Sequence, residues 1–163
     1  MYYFSYGSNM SIRRLVERIP SAKAIGVAKL AGHILKFHKA SKDGSGKCDI
    51  LATDQTDDIV FGVVFEIATT EKTDLDRAEG LGLGYEEKYV QVTGPDKKSM
   101  RAITYYATNI ESSLKPYQWY KEHVLRGAIE NELPPDYIAE IEKIEPVDDP
   151  DQNRHEKEIS IYR

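Results

Sequence analysis

The sequence has little cysteine and no long apolar run. Its single cysteine, Cys48, excludes an internal disulfide. No stretch approaches the roughly 18 apolar residues of a membrane span. Residues 2–6 read as a strand, where a secretion signal would have a charged and then apolar segment. There are 22 Lys and Arg against 27 Asp and Glu, and this acidic balance argues against a nucleic-acid partner. These features predict a cytoplasmic protein that binds neither nucleic acid nor membrane.

The composition is that of one soluble domain. The chain has 163 residues, of which 40% are hydrophobic and 30% charged, so residues 1–163 are expected to form a single domain. Strict alternation over 59–67 predicts the clearest strand, and further strand patterns fill the middle of the chain. Helical patterns lie near the start, centre and end, and the charged residues 146–163 are expected to cover the surface. This order predicts an α+β fold with a curled, mixed, mostly antiparallel sheet and packed helices.

The opening segment joins a strand to a helix through a short polar turn. Aromatic residues up to Tyr6 favour a strand, and apolar residues from Ile12 onward recur at helical spacing over about 11–19. Between them, Gly7 permits a positive φ, while Ser8 and Asn9 favour turns and helix caps. Such a junction directs several backbone N–H groups at one point and suits a carboxylate or a developing oxyanion. The alternative is that these residues only shape the turn.

Glu79 is the acidic residue with the most informative position. The pattern predicts a helix from Thr69 or Thr70 to about Glu79, with Gly80 as its C-terminal stop. Leu75 lies four residues earlier, which places Glu79 on the same, core-facing side of the helix. A carboxyl group there is partly desolvated, and its raised pKa suits a proton shuttle near neutral pH. The alternative is a last-turn glutamate that extends into solvent.

Other reactive residues lack the patterns of known sites. The four histidines show no metal-ligand spacing, and no activating residues surround Cys48. Ser8 lacks the Gly-x-Ser-x-Gly elbow of a hydrolase nucleophile. The sequence therefore predicts neither a metal site nor a serine or cysteine nucleophile.

Three ordered motifs resemble the gamma-glutamylcyclotransferase family. Tyr6-Gly7-Ser8-Asn9-Met10 is similar to the family's opening Tyr-Gly-Ser-Asn-Leu signature, with Met10 in place of leucine. The stretch 75–80 resembles the segment in which the acid before glycine is the catalytic glutamate, here Glu79. Residues 105–109 and 120–121 resemble the strand and helix that bring two tyrosines, here Tyr105 and Tyr120, to the pocket. The resemblance runs from residue 3 to about 145.

This resemblance implies a small barrel and a cofactor-free reaction. In the family, the α-amine of a γ-glutamyl group attacks its own γ-carbonyl, forming 5-oxoproline and releasing an amino acid or amine. The implied acid/base residue is Glu79. The implied substrate-binding residues are Tyr6, Gly7, Ser8, Asn9, Met10, Tyr105 and Tyr120. The resemblance further implies a small γ-glutamyl substrate and a place in glutathione metabolism, and a homodimer is the default expectation for such an enzyme.

Two alternatives remain open at the level of sequence. The same pocket can belong to a non-catalytic module that binds a γ-glutamyl or carboxylate ligand without converting it. Alternatively, the enzyme is specialised for γ-glutamyl-amines or for a γ-glutamylated natural-product intermediate. The leaving-group side of the pocket decides between the substrates, and the sequence does not identify it.

Overall fold

The computed structural model describes all residues from Met1 to Arg163. The strands are Tyr2–Ser5 (β1), Lys23–Ala31 (β2), His33–Ala40 (β3), Gly46–Ala52 (β4), Ile59–Glu66 (β5), Tyr85–Thr93 (β6) and Ser99–Ala107 (β7). The α-helices are Ile12–Val16 (α1), Lys72–Glu79 (α2), Gln118–Glu130 (α3), Pro135–Glu142 (α4) and Gln152–Ser160 (α5). None of these helices has both the length and the apolar character that crossing a bilayer requires.

Five of the strands form a closed barrel in the order β1-β5-β2-β6-β7. The ring closes where β1 pairs in parallel with β7, with Tyr3 opposite Ile103, while the other neighbours are antiparallel. Strands β3 and β4 form a separate hairpin. The expected α+β fold with a mixed, mostly antiparallel barrel is therefore confirmed.

Helix α2 ends where the sequence predicts. A short 3₁₀ turn over Thr69–Glu71 leads into α2, and Gly80 terminates it with a left-handed φ of 75°. Leu75 is fully buried and fixes α2 against the core. Glu79 lies one turn further on the same side, so packing of Leu75 directs the Glu79 side chain towards the barrel.

The turn after β1 differs from the sequence prediction in two respects. Gly7 has a φ of −119°, so the expected use of positive φ is wrong. Glycine is needed there for close approach, because a Cβ on Gly7 would lie 3.1 Å from Cys48 Cβ. Helix α1 is also shorter than the predicted 11–19, since Pro20 disfavours helical conformation at Ile19.

The charged segment 146–163 contains a helix with a specific anchor. Asp149 is only 1% exposed and accepts hydrogen bonds from Trp119 Nε1 at 2.7 Å and Arg154 Nε at 2.6 Å. Helix α5 follows immediately and has no fully buried residue. The segment thus lies on the surface, and the ion pair between buried Asp149 and half-buried Arg154 holds its start.

Candidate active site

The candidate site is a narrow pocket at the carboxyl end of β1, with a cavity volume of about 30 Å³. Strand β1, the turn after it, and the ends of α2, β4 and β7 all reach this pocket, as does α3. Its lining residues are Tyr3, Ser5, Tyr6, Gly7, Ser8, Asn9, Cys48, Glu79, Tyr85, Thr104, Tyr105 and Tyr120. Glu79 is the only residue of this lining that carries a formal charge at neutral pH.

The Glu79 carboxyl group is held on one oxygen and open on the other. Oε1 accepts hydrogen bonds from the Tyr3 hydroxyl and from Asn9 Nδ2, the latter at 2.8 Å. Oε2 has no such partner within the protein. Burial raises the pKa of Glu79 above its ordinary value, although the two hydrogen bonds and the nearby Arg18 oppose this effect. The result is an oriented carboxyl group that exchanges a proton more readily near neutral pH than an exposed glutamate does.

Asn9 is itself oriented by a cation. Arg18 donates a hydrogen bond to Asn9 Oδ1 at 2.9 Å, so the Nδ2 donor of the same amide faces Glu79. Reversal of the amide would place Nδ2 against the guanidinium, where two donors oppose each other. Arg18 is therefore a positioning residue that acts on Glu79 through Asn9.

The turn supplies backbone donors close to this carboxyl group. Residues Ser8–Met10 form one 3₁₀ turn, and its first hydrogen bond runs from Met10 N–H to the Gly7 carbonyl at 3.0 Å. The N–H groups that precede this bond have no partner within the turn, which makes them available to an anionic or carbonyl oxygen. The hydroxyl of Ser5 is buried in the same lining without a hydrogen-bond partner. A buried, unpaired hydroxyl in a pocket suits a polar ligand.

The predicted tyrosines shape the pocket mainly through their rings. Tyr6 donates its hydroxyl proton to the Tyr105 carbonyl at 2.5 Å, and the Tyr105 hydroxyl donates to Asp76 Oδ1 at 2.6 Å. The Tyr120 hydroxyl accepts from the Cys48 N–H at 3.0 Å. These bonds fix the three rings as walls around a narrow space.

The structure brings together the other predicted residues with one exception. Gly7, Ser8 and Asn9 line the pocket beside Glu79, but Met10 does not. Met10 is fully buried in the core, and its carbonyl accepts from Asn131 Nδ2 at 3.0 Å. This packing anchors the turn from behind, so Met10 supports the pocket from outside it.

Sequence reasoning missed Arg18 and five residues of the pocket lining, which are Tyr3, Ser5, Cys48, Tyr85 and Thr104. Tyr3 and Ser5 lie on one face of β1, and Tyr85 is the first residue of β6; all three line the pocket. An alternation of buried and exposed residues could not identify Tyr3 and Ser5, because Phe4 between them is fully buried on the other face of β1. Arg18 follows α1 outside any motif, and only its contact with Asn9 identifies it.

Comparison with known proteins places the chain among enzymes of one kind. The model of the AIG2-like family matches residues 59–141. Gamma-glutamylcyclotransferases of Bos taurus and Homo sapiens are each 34% identical over 151 residues, which cover 90% of this chain and 79% of each relative. A solved structure described as gamma-glutamyl cyclotransferase has a TM-score of 0.86 at 31% identity and covers 96% of this chain and 98% of its own.

Sequence identity and structural similarity therefore both relate nearly the whole length of the chain to gamma-glutamylcyclotransferases. The range matched by the family model, residues 59–141, includes the helix that carries Glu79. The chain belongs to the gamma-glutamylcyclotransferase family.

Proposed function

We propose that the protein cyclises the γ-glutamyl group of a γ-glutamyl amino acid or amine to 5-oxoproline and releases the free amino acid or amine. The observation that carries this proposal is the carboxyl group of Glu79, oriented by Tyr3 and Asn9 and open at Oε2. A pocket whose only formal charge belongs to this acid fits a reaction that moves protons without a metal or redox group.

The chemistry begins with a proton transfer at the substrate amine. Glu79 Oε2 accepts a proton from the α-ammonium group, and the freed nitrogen attacks the γ-carbonyl carbon. A new C–N bond closes the five-membered ring while negative charge develops on the former carbonyl oxygen. The raised pKa of Glu79 brings the carboxylate closer to the basicity that this first transfer requires.

The second half of the reaction returns the proton. Glu79 donates it to the nitrogen of the leaving group, and the original amide C–N bond breaks. The carboxylate, free again, then takes the remaining extra proton from the ring nitrogen and passes it to the released amine, so that 5-oxoproline forms with one N–H and the amine leaves as an ammonium ion. One carboxyl group thus acts first as base and then as acid. The burial of Tyr3 and its contact with Glu79 raise the pKa of that phenol well above 10, so it remains a hydrogen-bond donor throughout.

The turn after β1 is assigned to the substrate's oxygen atoms. The N–H groups of Ser8 and Asn9 hold the developing oxyanion or the substrate α-carboxylate, and removal of one such donor costs about 3 kcal/mol in the barrier. The Ser5 hydroxyl adds a side-chain donor on the same lining. In this assignment the backbone of Ser8 matters more than its hydroxyl.

The tyrosine walls are assigned to orientation. A free γ-glutamyl chain rotates about several bonds, and ring closure requires its two ends to meet. The rings of Tyr6, Tyr105 and Tyr120 restrict that space, and correct placement is the main gain available to an intramolecular reaction. A cytoplasmic location, a homodimer and a part in glutathione metabolism remain predictions from the sequence.

The direct test is product formation from a defined substrate. Purified protein incubated with γ-glutamyl-alanine is expected to release 5-oxoproline and alanine in equal amounts. Ligand binding without any 5-oxoproline, from this substrate or from γ-glutamyl-amines, would instead identify a non-catalytic binding module. The buried acid at the pocket argues against that module, because an anionic ligand gains nothing from a carboxylate beside it.

A further inference from the structure

A second cleft opens directly outside the candidate active site. It has a volume of about 200 Å³ and shares Ser8, Asn9, Glu79, Tyr85 and Tyr120 with the inner pocket. Glu79 therefore lies at the boundary between the two spaces. We call this second space the outer cleft.

The outer cleft is strongly cationic. Its charged lining residues are Arg14, Arg18, Lys39, Lys47, Arg77 and Glu79. Five cations thus face one carboxylate, on a chain whose formal net charge is −5. A concentration of positive charge against the sign of the whole molecule marks a surface that attracts anions.

Three of these cations already have carboxylate partners. Arg14 pairs with Glu158, while Lys47 pairs with Asp43 at 2.7 Å. Arg77 pairs with Asp74 at 2.8 Å, and its side chain is 75% exposed. Their charges are partly neutralised, and they contribute mainly to the general potential of the outer cleft.

Lys39 and Arg18 have no carboxylate partner. Lys39 is only 8% exposed, and its ammonium group donates to the Leu83 carbonyl at 3.3 Å and lies 4.8 Å from the centre of the Tyr85 ring. Arg18 is half-buried and donates to the Asn9 amide at 2.9 Å. A buried ammonium group that contacts only a carbonyl and a ring has further donors for an anionic ligand.

We propose that the outer cleft binds the leaving group of the substrate through its carboxylates, so that turnover efficiency rises with the number of negative charges on that leaving group. This inference rests on the proposed function. In the inner pocket, neutral hydrogen-bond donors bind the γ-glutamyl group. The scissile amide must lie next to Glu79, at the boundary between the two spaces. The remainder of the substrate then extends into the outer cleft, towards Lys39.

The consequence is a preference among substrates of nearly equal shape. An acidic amino acid as leaving group carries two carboxylates, a neutral amino acid carries one, and an amidated residue carries none. Each charge that meets a cation in a partly desolvated cleft is expected to raise kcat/KM by about ten-fold, the size of a charged hydrogen bond. The structure thus favours acidic leaving groups over neutral amino acids and over amines.

Three substrates test this ranking with the wild-type protein alone. γ-Glutamyl-glutamate, γ-glutamyl-glutamine and γ-glutamyl-glutaminamide differ in leaving-group charge by one unit at each step and hardly in size. The kcat/KM for 5-oxoproline release is expected to fall by about ten-fold at each step, and the spread should narrow in high salt. Equal kcat/KM for the three substrates would overturn the inference while leaving the proposed function intact. Absence of 5-oxoproline from all three would overturn the proposed function itself.

Substitution of Lys39 tests whether this residue is responsible for the preference for charged leaving groups. Lys39→Met removes the unpaired ammonium group and is expected to reduce the ratio of kcat/KM between γ-glutamyl-glutamate and γ-glutamyl-glutamine by about ten-fold. Lys88→Met is the control, because Lys88 is a half-buried lysine that contacts His33 and lines neither space. A folded Lys39→Met protein that keeps the wild-type ratio would contradict the assignment of Lys39. If that variant does not fold, the wild-type series still decides the proposal.

Discussion

The hydroxyl of Tyr3 donates a hydrogen bond to Oε1 of Glu79, although the two residues are 76 positions apart in the sequence. The bond connects the first strand of the barrel to the last turn of α2. Asn9 donates to the same oxygen from the turn after that strand, at 2.8 Å. Two donors from one segment of chain thus set the direction of the proposed acid/base.

Removal of the Tyr3 hydroxyl is expected to shift the pH dependence of turnover. In Tyr3→Phe the ionised Glu79 loses a hydrogen bond, so its already raised pKa rises further. Because the base must be deprotonated, the acidic limb of the kcat/KM profile moves to higher pH. Tyr2→Phe is the control, since Tyr2 is 40% exposed and neighbours Tyr3 in sequence. An acidic limb of Tyr3→Phe that matches wild type would rule out this role for the hydroxyl.

A larger residue at Gly7 is expected to disturb the turn. The Cβ of any substituent lies 3.1 Å from Cys48 Cβ and 3.4 Å from the Tyr120 hydroxyl, and valine adds two methyl groups to this contact. The resulting displacement should lower kcat by about 100-fold in Gly7→Val, with a smaller loss in Gly7→Ala. An unchanged rate in Gly7→Val would show that the backbone of this turn does not hold the reacting group.

Substitution of Ser8 distinguishes the role of its backbone N–H group from that of its hydroxyl. If the donor is its N–H group, Ser8→Ala keeps that donor and lowers kcat by less than about ten-fold. A nucleophilic hydroxyl would give a far larger loss, together with a covalent intermediate detectable by mass spectrometry of the protein during turnover. Either of those two results would replace the mechanism in which Glu79 alone moves the protons.

Acid stability is expected to depend on a buried histidine beneath α5. His123 is fully buried, and Glu158 of α5 and Arg14 of α1 contact its Nε2 at 2.9 Å and 3.1 Å respectively. The Tyr162 hydroxyl lies 2.7 Å from its Nδ1. Burial lowers the pKa of His123 to about 4, against the opposing effect of Glu158. The folded protein therefore holds this imidazole neutral at pH values where the unfolded chain protonates it.

The direction of the effect follows from proton binding. Between pH 6.5 and about 4 the unfolded chain binds more protons at this site, so stability and Tm fall as the pH falls through that window. His123→Gln removes the titrating group and should give a flatter dependence of Tm on pH in the same range. His155→Gln, on α5 but outside this cluster, is the control. An identical pH dependence in wild type and His123→Gln would contradict the assignment.

Glu79 is expected to reduce stability in return for its proposed role. Its pKa is raised in the folded protein, so ionisation at pH 7 favours the unfolded chain. Glu79→Gln keeps an acceptor for Tyr3 and Asn9 but removes the buried charge. Its Tm at pH 7 should equal or exceed that of wild type, and the difference should shrink as the pH falls. A large decrease in Tm at pH 7 would show that the carboxylate is structurally required.

The sequence predicted the features that depend on local patterns, and it did not predict the contacts that form between distant segments when the barrel closes. The stop at Gly80 and the core-facing side of Glu79 follow from helical geometry, which acts over a few residues. The turn at residues 7–9 was found through a motif. Tyr3 was not predicted because β1 is buried on both faces. The alternation of residue types along β1 therefore does not distinguish a pocket residue from a core residue.

The roles of Arg18 and Lys39 depend on contacts that no local pattern encodes. Arg18 meets Asn9 across nine positions, and Lys39 meets Leu83 across 44. In the sequence, each resembles an ordinary surface cation. Tertiary packing buries at least part of each side chain but places no carboxylate partner beside it. Long-range contacts of this kind become visible once the barrel is closed.

The most direct test compares 5-oxoproline formation by wild type and Glu79→Gln with γ-glutamyl-alanine under identical conditions. Glutamine matches glutamate in size and keeps the oxygen that accepts from Tyr3 and Asn9, but it cannot exchange a proton. The wild-type protein should release 5-oxoproline, and the folded variant should be slower in kcat by at least about 100-fold. Comparable turnover by the two proteins would contradict the central claim that Glu79 is the acid/base of this site.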